Sequence, residues 1–193
     1  MKSPKASHHL SPLRYPGGKG KLSAFFKGII ISNNLLDCTY IEPFAGGAGV
    51  ALALLFHGYI ERAIINDLSL PIFAFWKAAL EETDEFIDRI NNVDLTVAEW
   101  GRQRECFQTT SMPSFELGFA AFYLNRTNHS GVLNGGIIGG REQTSRYSLD
   151  ARFNRTELAA RITRLARYRD EIEVLNLDAS ELIQTLSQRC NIS

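Results

Sequence analysis

"YIEPFAGGAGVALALL", residues 40–55, decides how the rest of the chain is read. A short strand-like run ending at Phe44 passes through Ala45-Gly46-Gly47 into a stretch that reads as helix as far as Gly58. In such a layout backbone amides at a helix N-terminus can face a ligand, because glycine lacks the Cβ that would hold it off. Two well-known fingerprints do not fit. Gly47-Ala48-Gly49 is followed by Val50-Ala51-Leu52, so leucine stands at the third glycine of the dinucleotide motif. Gly18-Lys19 lacks both the earlier glycine of a P-loop (Leu13 is there) and a following Ser or Thr. What remains is Asp67, which ends the next strand-like run, "RAIIND" (62–67), at the roughly 20-residue distance where a carboxylate can accept from ribose hydroxyls. An adenosine-type ligand without a pyrophosphate suits this pattern. Tight strand–helix packing with a solvated Asp67 suits the glycine cluster equally well on its own.

Working outward, the spacing predicts a helix from Gly18 to about Ile31, a strand over Thr39–Phe44, mostly helix from Leu70 to Phe107, and a helix opened by Pro113 that runs through "FELGFAAFYLN". Residues 126–153 are rich in glycine and polar groups and read as an extended loop or hairpin region, a length that usually carries function. Asn154 and Glu157 have capping-box spacing ahead of an apolar stripe of Leu158, Ile162 and Leu165. "IEVLNLD" (172–178) is a third strand, followed by a helix from Ala179. Strands alternating with helices imply an α/β fold with a mainly parallel sheet.

At 193 residues, 45% of them hydrophobic, the chain suffices for one ordinary domain with a sizeable core. The formal net charge is zero, which argues against a uniformly basic nucleic-acid coat. The charge is segregated, however. Residues 1–27 hold six bases and no acid, and Arg126–Arg169 holds nine arginines against Glu142, Asp150 and Glu157. Such segments point to a local anion-binding face, although solvated helix surface is the usual fate of a single arginine. Three scattered cysteines (Cys38, Cys106, Cys190) form neither a disulfide framework nor a metal site, which suggests a reducing, cytoplasmic setting. No apolar run approaches the roughly 20 residues that would span a membrane.

Four segments in order, "LRYPGGKGKL", "YIEPFAGGAGV" with "INDLS", "FYLNRTNHSGVLNGG" and "YSLDARFNRTELAARI", give the chain a resemblance to the Dam-like DNA adenine-N6 methyltransferases, which use S-adenosylmethionine (SAM). With the third strand the match spans residues 13–178. The resemblance implies a Rossmann-like SAM-dependent methyltransferase sheet, here incomplete, with an inserted helical and loop target-recognition region. It divides the chain into a SAM-binding part (1–70), a recognition region (71–168) and a return to the sheet (169–193). It also implies that Tyr15 and Lys19 contact SAM, that Phe44, Ala45, Gly46 and Gly47 wrap its methionine part, that Asp67 holds the ribose, and that Asp178 receives the adenine amino group of SAM.

On the DNA side the resemblance places Asn125, Arg126, Thr127, Asn128, Ser130 and the glycine-rich run up to Arg141 in the target-recognition region. Asparagine can pair bidentately with adenine, and arginine with guanine or phosphate. The arginines from Arg141 to Arg155 would add salt-sensitive phosphate contacts. Taken singly, Asn125 also reads as a helix C-terminal residue and Arg126 as a surface ion pair. The family extrudes its target base and holds the adenine amino group with an Asp-Pro-Pro-Tyr segment. No two of the prolines at 4, 12, 16, 43, 71 and 113 are adjacent, so that segment is absent. The expectations are therefore a truncated chain, or one completed by a second polypeptide, which binds SAM and double-stranded DNA without transferring methyl groups. A non-catalytic SAM- or DNA-binding module, or half of a split enzyme, stays open as the alternative, and an unrelated nucleotide-binding enzyme as a weaker one.

Overall fold

The computed structural model describes residues 10–14 and 22–190. Three strands, β1 (Thr39–Glu42), β2 (Arg62–Asn66) and β3 (Ile172–Leu175), form a parallel sheet in the order β1-β2-β3, with Ile41 beside Ile64 and Ile64 beside Glu173. The expected α/β class with a parallel sheet is present. Each strand stops short of its predicted carboxyl end for a local reason. Pro43 has no N–H to continue the β1 ladder, and past β3 the Leu177 amide turns to the Asn66 side chain.

Eight α-helices surround the sheet among the described residues: α1 (Ser23–Ser32), α2 (Gly49–Phe56), α3 (Leu70–Glu81), α4 (Thr83–Asn92), α5 (Val97–Thr109), α6 (Phe115–Thr127), α7 (Arg155–Ala166) and α8 (Ala179–Cys190). At Asn154 the N-cap half of the predicted capping box forms, with its side chain accepting from the Glu157 amide at 3.1 Å, while the Glu157 carboxylate pairs with Arg161. Ser114 caps α6 in the same way, one residue after the proline expected to open that helix. None of the described helices is long and apolar enough to cross a membrane.

The helix α6 is the axis of the helical layer. Every residue of it except Glu116 is buried, as befits a helix that is apolar on all faces. It crosses α3 so closely that a Cβ at Gly118 would lie 2.5 Å from the Ala74 carbonyl oxygen, so only glycine fits. Phe75 and Phe86 from α3 and α4 pack against Phe119 and Phe122 of α6, with ring centroids 5.3–5.9 Å apart. Beyond α6 the chain forms a tight hairpin closed by an antiparallel bridge between Asn128 and Ile137 and by an Ile138 N–H to Thr127 carbonyl bond of 2.8 Å.

Candidate cofactor and DNA site

The carboxyl ends of the three strands meet at a turn whose backbone is held from several sides. The Ala45 N–H donates to the Asn66 carbonyl at 2.8 Å, and the Gly46 N–H donates to Asp67 Oδ2 at 2.7 Å. The Gly46 carbonyl accepts from the indole Nε1–H of Trp76 at 3.0 Å. Gly46 has a φ of 48°, the left-handed region that glycine tolerates without strain. The buried Glu42 at the end of β1 accepts from the Ala51 amide at 3.0 Å, which satisfies one of the donors left open in the first turn of α2. Phe44 stands exposed at the rim of the turn, whereas Ala45, Gly46 and Gly47 are buried.

Asp67 follows directly on β2 and is half-buried. One carboxylate oxygen takes the Gly46 amide and the other takes the Ser69 amide at 2.9 Å. The glycine turn and the acid, about 20 residues apart in sequence, are thus joined by a hydrogen bond. Each oxygen retains acceptor capacity, since a carboxylate offers about four lone-pair sites. Asp178 stands one helix start away, at the head of α8, where its Oδ1 accepts from the Ser180 amide at 2.8 Å. Hydrogen bonds from the Ser180 side chain and backbone hold this fully exposed carboxyl below the usual carboxylate range. Tyr15 and Lys19 lie outside the described residues.

Asn66 is a residue that sequence reasoning missed. Its buried amide Nδ2 donates to the carbonyls of Pro43 and Leu177, both at 2.9 Å, while its Oδ1 accepts from the Leu177 amide at 2.9 Å. One side chain therefore ties the ends of all three strands together. Asn176 adds a 2.7 Å bond from its Nδ2 to the Asp67 carbonyl. The available signal was an amide, Asn66, at the end of an otherwise apolar strand, because a buried amide requires partners.

The residues expected to face DNA divide into two groups. Asn125, Arg126, Thr127 and Asn128 are all buried, and each makes its hydrogen bonds inside the protein, although the buried Arg126 Nε has no partner among the described residues. Asn125 pairs with both backbone groups of Arg14, accepting its N–H and donating to its carbonyl, each at 2.7 Å, and also donates to the Gly131 carbonyl. Arg126 donates to the Pro12 carbonyl, and the Thr127 hydroxyl donates to the Tyr123 carbonyl at 2.8 Å. Burial, and then the neighbouring charges of Arg161 and Arg14, push Arg126 down to about 9. Asn128 accepts from the Trp100 indole N–H at 2.7 Å and donates to the Val132 and Leu133 carbonyls at 2.9 Å. These four residues build the hairpin and its mount, and they are not at the surface where a base edge would lie. Their position in the last turn and C-cap of α6, buried on every side beyond Glu116, is the physical reason.

Arg155 also departs from its expected place. Its guanidinium is spent on the Ile90 and Val93 carbonyls at the C-terminal end of α4, so it is not a phosphate contact in this fold. Ser130, Arg141, Arg146 and Arg152 are exposed, as are His129 and Asn134. Ser130 stands in the short turn that opens the hairpin, with a φ of 56°. Arg104 of α5 braces the hairpin from behind, with its Nη1 on the Gly135 carbonyl at 3.2 Å and its guanidinium 5.0 Å from the Trp100 ring centroid.

A glycine turn that leads into a helix, with an acid following the next parallel strand, lies at the carboxyl edge of the sheet, the edge at which open α/β sheets bind ligands. The family model for D12 class N6 adenine-specific DNA methyltransferases matches residues 15–189, nearly the whole chain, and the chain belongs to that family. It is therefore a methyltransferase of the adenine-specific, DNA-modifying kind, in a family that generally uses SAM. No curated protein matches the sequence.

Proposed function

We propose that the chain carries the SAM-binding and DNA-binding parts of an adenine-N6 DNA methyltransferase, with the cofactor at the glycine turn and duplex DNA against the hairpin that follows α6. The observation that carries this reading is the Gly46 to Asp67 hydrogen bond, which brings the turn and the acid to one place at the carboxyl edge of the sheet. Open parallel sheets bind ligands at that edge. Asp67 has lone pairs left for two ribose hydroxyls, and Phe44 stands exposed at the rim. On the DNA side the candidates become the exposed Ser130, His129, Asn134 and Arg141, with Asn125 to Asn128 as their support.

Calorimetric titration of the 193-residue chain with SAM tests the cofactor half. Saturable binding is expected, and its absence in a chain with a folded circular dichroism spectrum would overturn the reading. Duplex DNA should bind with an affinity that falls steeply with salt; salt-independent or undetectable binding would overturn the DNA half. The 193 residues contain no Asp-Pro-Pro-Tyr run to hold an adenine amino group. This polypeptide alone should bind both ligands without methylating DNA, and turnover by a rigorously pure sample would refute that part.

A further inference from the structure

We propose that Trp76 is a positioning residue that decides which way the glycine turn presents its backbone to the cofactor, an inference that rests on the SAM reading above. The argument begins with the peptide plane between Gly46 and Gly47. In a trans peptide the carbonyl and the N–H point to opposite sides. The fully buried Trp76 indole draws the Gly46 carbonyl toward α3 through its 3.0 Å hydrogen bond. The Gly47 N–H on the same plane is thereby turned away from α3.

That N–H has no acceptor among the described residues, although Gly47 itself is buried. Buried backbone donors nearly always have a partner, so an unclaimed one facing a ligand-binding turn calls for an acceptor on the ligand. The plane before it is fixed as well, because Asp67 takes the Gly46 N–H. Between two glycines a peptide plane meets little steric resistance to flipping. A flip would replace the outward donor with a carbonyl oxygen and repel the same ligand atom. The indole hydrogen bond opposes that flip, and the Gly47 amide is the donor it keeps in place for the amino-acid end of SAM.

The test compares SAM with 5′-methylthioadenosine, which keeps the adenosine and the sulfur-bound methyl but lacks the amino-acid end and is a neutral thioether where SAM is a sulfonium. In Trp76→Phe, which keeps an aromatic ring and loses the N–H, SAM affinity should fall about fivefold while methylthioadenosine affinity changes less than about twofold. Trp100→Phe removes the other indole donor, in the first turn of α5, and should leave both affinities unchanged. Equal losses for the two ligands would reduce Trp76 to a general structural role and overturn the proposal, as would no loss at all. A wild-type chain that binds neither ligand overturns the SAM reading and this proposal with it; that outcome is distinguishable because the wild type fails and not only the variant. Should Trp76→Phe not fold, the wild-type Gly47 amide resonance decides. A downfield shift with SAM and none with methylthioadenosine supports the proposal, and the lack of a SAM-specific shift overturns it.

Discussion

The glycine turn and the hairpin after α6 are each held by one of the chain's two tryptophans, and they use their polar residues in opposite ways. At the turn, Trp76 grips a backbone carbonyl, and the half-buried Asp67 keeps lone pairs beyond the two backbone amides it accepts. At the hairpin, Trp100 grips the side chain of Asn128, and the conspicuous run Asn125 to Asn128 spends its hydrogen-bonding capacity internally. Polar residues that look like a recognition code can thus be the frame that holds shorter, plainer neighbours in position. The side chains differ in exposure, since the acid at the turn is half-buried whereas Asn125 to Asn128 are each less than a tenth exposed and present no edge to a base.

The largest effect that would sharpen this contrast is at Asp67. Asp67→Ala removes an acceptor from the turn and the acceptors available to a ribose, and SAM affinity should fall roughly a hundredfold or more. Asp67→Asn keeps one oxygen and should lose only about tenfold. Equal affinity in wild type and Asp67→Ala, measured by calorimetry, would break the assignment of the turn.

Next comes Asn128. Asn128→Ala leaves the Trp100 N–H and the Val132 and Leu133 carbonyls without partners, which should cost about 2–4 kcal/mol of stability in urea unfolding. SAM affinity of the folded variant should stay near wild type. A variant as stable as wild type that has lost DNA binding would instead make Asn128 a reader of DNA and reverse the comparison.

A smaller effect is expected at the exposed side. Arg141→Ala should leave the midpoint of unfolding unchanged and lower the slope of log affinity for DNA against log salt by about one. An unchanged slope would remove Arg141 from the phosphate contacts. Smallest is a pH effect at the sheet. Burial, and then the charge of Glu42, push the half-buried Tyr40 phenol up to about 12 from its ordinary 10.0. Between those values the unfolded chain releases the proton while the folded chain keeps it, so stability falls as pH rises from about 10 to 12. Tyr40→Phe should flatten part of that alkaline loss, and an identical alkaline profile would show that the phenol does not contribute.

The parts of the molecule with local signals were legible in the sequence. β1, β2 and β3, the Asn154 cap and the glycine turn each follow from residues close together in the chain. The spacing of motif and acid pointed to one shared ligand, and the direct hydrogen bond between Gly46 and Asp67 came only from the structure. The inward facing of Asn125 to Asn128 was not read, yet a signal existed. "FELGFAAFYL" has no polar face after Glu116, so the final turn of that helix had no surface to turn toward. The places of Arg155 and Trp76 had no comparable signal, and the amide of Asn66 signalled only that it needs partners, because Val93, Gly46 and Leu177 are distant in sequence and brought near only by the fold.

Asn66 also has a consequence for the order in which the chain assembles. Its amide and the Leu177 backbone are 111 residues apart, the same separation that joins Asn125 to Arg14. Until β3 arrives, Asn66 must stay hydrated in what becomes the interior. The centre of the sheet is therefore sealed only after that long loop has closed, at an entropic cost that grows with its length. Early association of β1 with β2 would leave a wet seam, and the docking of β3 would dry it in a late, concerted step. Native contacts this distant in sequence slow folding. Refolding of this protein should accordingly be gated by the return of one strand more than by the growth of its helices.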